Sequence, residues 1–357
     1  MKTFIEINGR RIGPGFPVYL VAEISGNHNQ DFDQAVRMIE AAKESGADAV
    51  KLQTYTPDTL TIECDNSYFQ IKGGTLWDNQ SLYKLYTQTY TPWEWQPKLK
   101  EITNRLGLDL FSTPFDFKAV DFLSKMHMPA YKIASFEVVD LPLISKIAST
   151  GKPIIMSTGM ATLAEIREAV SAIREKGGNQ LALLKCTSAY PAPPNEMNLR
   201  TIPDLAKLFG VPVGLSDHTL GVAVPIAAVT LGACIVEKHF TLLRDMRGPD
   251  SVFSLEPHEF KIMTEAVRTA EKSLGKVQYG VSDSETASQI FRRSLFIVKD
   301  MKTEDIFTEE NVRAIRPGYG LHTRYFSEVI GRHASKDIKR GTPLDWGLVS
   351  GTGEIGI

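Results

Sequence analysis

Between Tyr19 and Leu274, short apolar runs alternate with segments whose apolar positions recur every three to four residues. The short runs are about five residues long and rich in β-branched and aliphatic side chains, the pattern of strands buried on both faces. They predict strands at Tyr19–Ile24, Ala49–Thr54, Asp109–Thr113, Tyr131–Ser135, Pro153–Ser157, Leu181–Cys186, Pro212–Ser216 and Cys234–His239. The periodic segments between them predict helices, among them Asp31–Ser45, Pro92–Leu106, Leu163–Lys176 and Val222–Leu231. Strands that alternate regularly with helices imply parallel βα units. Eight units imply an α/β fold of the closed (β/α)8 TIM-barrel type, which needs about 250 residues.

Two stretches depart from the pattern. Tyr55 to Thr91 is far longer than an ordinary connection and is rich in Tyr, Trp and Gly, so a lid or binding loop is expected there. After Leu274 the alternation stops. The expected division is a catalytic barrel over 1–280, a polar linker over 281–290 and a small, mostly-β domain over 291–357. That last domain contains Arg292-Arg-Ser-Leu-Phe-Ile-Val, Arg316-Pro-Gly-Tyr-Gly and Lys339-Arg-Gly-Thr-Pro-Leu.

Composition narrows the function classes. A net charge of -2 over 357 residues gives no bulk attraction to nucleic acid. No window approaches the roughly 18 unbroken apolar residues of a membrane span, and residues 1–11 lack an apolar signal core. Cys64, Cys186 and Cys234 share no CxxC spacing, which fits a reducing compartment and a cytoplasmic location.

The chemistry concentrates at the predicted strand ends, where barrel enzymes carry their sites. In order these hold Glu23; Lys51 and Gln53; Thr113; Lys132 and Ser135; Ser157; Cys186 and Ser188; Ser216 and His218; Glu237 and His239. Lys51 with Gln53, and Lys132 with Ser135, place paired polar groups toward a barrel lumen, where an unmatched polar group is costly. Two lysines among hydroxyls suit a small phosphorylated acid. His218 and His239 end consecutive strands, so both imidazoles reach one rim and form a candidate catalytic metal pair, with water and substrate oxygens completing the shell. Asp217 and Glu237 are candidate partners for those imidazoles, although alternation aims them differently. Imidazole and oxygen ligands allow Mn, Co, Zn or Mg. His127, His258, His322 and His333 show no partner pattern and are taken as surface or local structural residues.

These residues resemble the sialic acid synthases, condensing enzymes that make nonulosonic acids. The likeness is carried by Val21-Ala-Glu-Ile-Ser-Gly-Asn-His-Asn, Lys51-Leu-Gln-Thr-Tyr, Ser112-Thr-Pro-Phe-Asp, Tyr131-Lys-Ile-Ala-Ser-Phe-Glu, Met156-Ser-Thr-Gly-Met, Gly214-Leu-Ser-Asp-His-Thr and Glu237-Lys-His-Phe-Thr. It spans nearly the whole chain, and the C-terminal part resembles antifreeze-like (SAF) domains. Within the family, Gly73-Gly-Thr-Leu-Trp-Asp, Tyr83-Lys-Leu-Tyr and Tyr90-Thr-Pro-Trp-Glu-Trp are most like the pseudaminic acid branch. The resemblance implies condensation of phosphoenolpyruvate with open-chain 2,4-diacetamido-2,4,6-trideoxy-altropyranose, giving pseudaminic acid and phosphate.

At matched positions it implies that Lys51, Thr113, Lys132, Ser135, Ser157, Ser188 and Ser216 hold phosphoenolpyruvate. Tyr190, Glu137, Asp250 and Arg316 would serve the sugar. Glu23, Lys51, Gln53, His218 and His239 would be catalytic, with His218 and His239 holding a divalent metal, Mn favoured over Co or Mg. Position 188 departs from the neuraminate enzymes, which carry Asn there. Arg316 matches an arginine that reaches the partner barrel in the family's domain-swapped homodimers. The alternatives are N-acetylneuraminate or legionaminate synthesis, a Schiff-base aldolase using Lys51 or Lys132, a two-histidine metal hydrolase, and a non-enzymatic sugar-binding protein.

Overall fold

The computed structural model describes residues 4–351, in two compact units, one running through Gly275 and the other starting at Lys276. The first unit opens with a hairpin, β1 (Ile5–Ile7) and β2 (Arg10–Ile12), paired antiparallel. Eight strands follow: β3 (Tyr19–Glu23), β4 (Ala49–Thr54), β5 (Asp109–Pro114), β6 (Tyr131–Ile133), β7 (Ile154–Ser157), β8 (Leu181–Cys186), β9 (Val213–Asp217) and β10 (Ile235–His239). All eight pair parallel, and β10 closes on β3 to complete the barrel.

The strands form because both their faces are buried. One face packs on the helices through residues such as Leu20, Val50, Leu110, Met156 and Val236. The other fills the lumen: Tyr19, Val21, Ala49, Phe111, Ile155, Leu184 and Ile235 form a separate apolar cluster. Ile5, Ile7 and Ile12 of the hairpin belong to that cluster, each at most 1% exposed. The hairpin therefore plugs the end where the strands begin. Nothing in the periodicity of residues 1–11 predicts this hairpin. The signal was Asn8-Gly9, both at positive φ (47° and 80°), the two-residue turn that suits a twisted hairpin.

The helices begin and end on recognisable chemistry. Asp31 accepts from the Gln34 N–H to cap Phe32–Glu44, and Thr162 with Glu165 forms a reciprocal capping box on Leu163–Glu175. Their apolar faces cover the barrel. The segment from 55 to 91 is an ordered insertion with helices Pro57–Leu60 and Leu82–Thr89 and a bridge between Gln70 and Ser81. The strand expected to reach Ser135 stops at Ile133, because Ser135–Val139 winds into a 3-10 turn.

The second unit has its own core, including Leu295, Ile297, Phe307, Val312, Val329 and Leu344. Its strands β11 (Ser294–Ile297) and β12 (Val312–Ile315) pair antiparallel. The stretch expected as a linker carries a 3-10 helix over Asp283–Phe291. Among the described residues, no helix is long and apolar enough to cross a membrane.

Candidate functional site

Alternation along the strands decides what enters the upper lumen. Residues two apart share a face, so the cluster residues Tyr19, Val21, Ala49 and Phe111 are followed by Glu23, Lys51, Gln53 and Thr113. In the same way Lys132, Ser157, Cys186, Ser216, Glu237 and His239 continue the lumen face of their strands. His218 lies one residue past β9. The barrel register places His239 opposite Glu23, Glu23 opposite Lys51, and Gln53 opposite Thr113.

The lower layer of the site is a buried charge network. Lys51 Nζ lies 2.5 Å from Glu23 Oε2 and 3.7 Å from Glu237 Oε1, and Lys132 Nζ lies 3.9 Å from the same Glu237 oxygen. Lys132 donates to Ser157 Oγ at 2.6 Å, Lys51 to Thr113 Oγ1 at 3.4 Å, and Ser216 to Glu237 Oε1 at 3.3 Å. Burial pushes Glu23 upward, Lys51 only partly offsets this, and Glu237 adds to the rise. Burial also opposes charge on Glu237, but Lys132 and Lys51 outweigh it and hold that carboxyl below its usual range. Two carboxylates in one layer are thus driven apart, and Glu23 is the one placed to exchange a proton. Burial lowers Lys132, whereas Glu23 and Glu237 overcome the same burial cost at Lys51 and raise it.

Glu237 corrects one expectation. It shares the lumen face of His239 and sits between the two lysines rather than behind an imidazole. Asp217 is no imidazole partner either. It faces the helices, 2.5 Å from Lys238 Nζ, in a fully buried ion pair, and it accepts from Thr219.

Above the lysines, hydroxyls crowd one side. The Gly159 N–H donates to Ser135 Oγ at 3.0 Å. A Cβ at Gly159 would lie 2.3 Å from Ser188 Oγ and 2.8 Å from Ser135 Oγ, so only glycine admits both. Cys186 Sγ stands 3.7 Å from Ser188 Oγ and 3.9 Å from His218 Nδ1.

The two imidazoles face each other with ring centroids 5.3 Å apart. His218 Nδ1 donates to the Thr187 carbonyl at 2.9 Å, so Nε2 is the nitrogen left for other partners. Burial opposes charge on this imidazole, but Cys186 and the Thr187 carbonyl outweigh it and raise it above its ordinary range. His239 is held well below its ordinary range, first by burial and then by His218 and Lys51, so it is neutral. Its Nδ1 is buried without a hydrogen-bond partner, 3.6 Å from Asp250 Oδ2. Among the described residues no three His, Cys, Asp or Glu side chains gather as a metal cluster. Nε2 of His218 and the orphaned Nδ1 of neutral His239 nonetheless fit an ion that takes its other ligands from water and substrate.

A cavity of about 440 Å³ opens beside this pair. Gln53, Glu137, Tyr190, His239 and Asp250 line it, together with Ser25. Gln53 Nε2 donates to Glu23 Oε1 (3.0 Å) and Ser25 Oγ (3.1 Å), and Ser25 donates to Asp250 Oδ2 (2.5 Å). Glu137 is pushed up to about 7, mainly by burial, and its Oε2 has no partner. Tyr190 packs on His218 at 4.4 Å.

The barrel thus brings together every sequence-predicted site residue except Arg316, which is an exposed residue of the second unit just past β12. Sequence reading missed Ser25, Trp77 and the aliphatic residues of the insertion that line the same cavity. Ser25 had a signal, two residues beyond Glu23. It also passed over His28, whose two ring nitrogens bond Thr91 and the Gln30 N–H inside the core, a structural role.

The NeuB family model matches residues 38–279. The chain belongs to that family, the sialic acid synthases. A SAF domain model matches residues 292–350, so the second unit carries an antifreeze-like domain. The chain is 46% identical over 329 residues to a pseudaminic acid synthase of Helicobacter pylori, covering 92% of this chain and 96% of that protein. It is 36% identical over 348 residues to an N,N'-diacetyllegionaminic acid synthase of Legionella pneumophila, covering 96% and 97%. The solved N-acetylneuraminic acid synthetase of Leptospira borgpetersenii, in complex with citrate, superposes with a TM-score of 0.71 at 30% identity over 81% of this chain and 96% of that one.

Proposed function

We propose that this NeuB-family enzyme condenses phosphoenolpyruvate with open-chain 2,4-diacetamido-2,4,6-trideoxy-altropyranose, giving pseudaminic acid and phosphate. The observation that carries the reaction is the placement of two buried lysines and a ladder of hydroxyls directly beside two convergent imidazoles. The choice of sugar draws support from the likeness to the pseudaminic acid synthase of H. pylori.

In this reading Lys51, Lys132, Thr113, Ser135, Ser157, Ser188 and Ser216 hold phosphoenolpyruvate. Glu137, Tyr190 and Asp250 orient the sugar, with its aldehyde toward His218 and His239. A divalent ion on those imidazoles, manganese by preference over Co or Mg, would supply Lewis-acid polarisation of the aldehyde oxygen. C3 of phosphoenolpyruvate attacks the aldehyde carbon, and positive charge develops at C2. Glu23 stabilises that charge and moves the proton of the incoming water, with Gln53 fixing its orientation. Water adds at C2, the C2–O bond to phosphate breaks, and the resulting keto acid and inorganic phosphate leave.

The bond cleaved is the test. Reaction in oxygen-labelled water puts the label in the sugar acid and leaves phosphate unlabelled; labelled phosphate contradicts the scheme. The proposal extends to the cytoplasm as compartment and to a swapped homodimer in which Arg316 serves the partner's sugar site. Mixing inactive Arg316→Ala and His239→Ala protomers tests the swap, because only a swapped dimer regains partial activity. One observation favours a second reading: burial depresses Lys132, as a Schiff-base lysine requires. Borohydride inactivation in the presence of a keto acid would support that aldolase.

A further inference from the structure

The cavity has two kinds of wall. Its barrel side is polar, with Ser25, Gln53, Glu137, His239 and Asp250. The side supplied by the insertion is mostly apolar: Leu60, Ile71, Leu82 and Leu85, each half-buried, line it beside Trp77 and Tyr86. The Tyr55 and Thr89 hydroxyls there bond each other, and the Thr75 hydroxyl donates to Asp78. No side-chain charge or amide of the insertion lines the cavity on that side. A sugar edge laid on these four aliphatic residues meets carbon, so a hydroxyl on that edge loses its hydrogen bonds to water, while a methyl group gains contact.

Trp77 holds this wall to the polar loops. Its indole N–H donates to the Pro249 carbonyl at 3.1 Å, next to Asp250, and its ring lies 5.4 Å from that of Tyr190. The turn that presents Trp77 is built on Asp78, whose carboxylate accepts from the N–H groups of Gly73, Gly74 and Thr75 and from the Thr75 hydroxyl. The indole therefore couples the position of the aliphatic wall to residues that flank the imidazole pair.

We propose that the insertion wall of Leu60, Ile71, Leu82 and Leu85, positioned by Trp77, reads the C6 methyl group of the aldose and sets the preference for a 6-deoxy sugar over its 6-hydroxy counterpart. The inference rests on the condensing reaction above and concerns only which aldose is taken. An apolar pocket rejects a ligand that merely adds a hydroxyl by about 100-fold at most. The wild-type preference in kcat/KM is therefore about 10- to 100-fold.

The test compares phosphate release from phosphoenolpyruvate with 2,4-diacetamido-2,4,6-trideoxy-altropyranose and with its 6-hydroxy analogue, in wild type, Ile71→Thr, Leu85→Gln and Trp77→Phe. The readout is the ratio of the two kcat/KM values, because a folding defect lowers both alike. The ratio is expected to fall at least about fivefold in Ile71→Thr and Leu85→Gln, a partial loss of the ~100-fold ceiling. Trp77→Phe keeps the ring but loses the bond to Pro249, so the aldose KM rises more than kcat falls, and the ratio drops. A wild-type preference for the 6-deoxy sugar with an unchanged ratio in all three variants overturns the wall and leaves the proposed function standing. A wild-type preference for the 6-hydroxy sugar overturns the wall and the sugar assignment together, while phosphate release still marks a condensing enzyme.

Discussion

Replacing Glu237 by Gln removes one charge from a buried layer that holds two lysines and two carboxylates. At an effective dielectric near 20, the lysine separations of 3.7 and 3.9 Å each correspond to about 4 kcal/mol of gross attraction. Much of that is offset by desolvation, and removing one partner of a buried ion network costs a net ~3–5 kcal/mol. At roughly 2 °C per kcal/mol for a chain of this size, Glu237→Gln melts about 6–10 °C below wild type. The informative step is adding phosphoenolpyruvate. The ligand phosphate neutralises Lys51 and Lys132 in the variant, whereas in wild type it must approach Glu237 as well. Saturating phosphoenolpyruvate therefore raises the melting temperature of the variant by several degrees more than that of wild type. An equal rise in both, measured by differential scanning fluorimetry, refutes the lysine layer as the anion site. A variant that melts with wild type refutes the buried network itself.

Three further outcomes follow from the same geometry. Glu137 titrates near 7 instead of 4.5 because it is buried, so its contribution to stability is full below about pH 4.5 and is lost as pH rises through 7. After screening for partial exposure the effect is about 1–2 kcal/mol, and Glu137→Gln removes it from the urea midpoint–pH profile. An aldose N–H donating to the Glu137 carboxylate favours the ionised form, so the aldose KM falls as pH rises toward 7 in wild type and is flat in Glu137→Gln. His218→Ala and His239→Ala each abolish turnover, as does thorough chelation of wild type; full activity in either variant after chelation rules out the metal role. Asp217→Asn strands buried Lys238 and costs about 3–5 kcal/mol in denaturant melts, and adding Lys238→Met restores most of it; no recovery would contradict the pairing.

The barrel was legible because each strand is buried on both faces and carries a short apolar stretch recurring between helical patterns, with β4 and β8 matching to the residue. The lumen was legible because polar residues two apart at the strand ends must share it: Lys51 with Gln53, Ser216 with His218. Glu237 obeys the same rule with His239, two residues on, so the expectation that alternation aims it away from that imidazole was a misapplied period, and its place between the lysines came only from the closed barrel. The hairpin plug was signalled only by Asn8-Gly9, too short a cue to reveal where Ile5 and Ile7 would be buried. Contacts such as Trp77 with Pro249 and Tyr190 lay beyond the sequence, since they join segments more than 100 residues apart through tertiary packing alone. Half-buried Leu60, Ile71, Leu82 and Leu85 follow no single period, so nothing marked them as one wall.

The central claim is that two lysines and two imidazoles at one barrel mouth join an enol phosphate to an amino-sugar aldehyde. Phosphate release from phosphoenolpyruvate, measured with each diacetamido and acetamido aldose with and without a chelator, tests it most directly. Release with 2,4-diacetamido-2,4,6-trideoxy-altropyranose that stops on chelation and returns with manganese is the predicted result. Absence of phosphate release with every aldose, metal supplied, would contradict it.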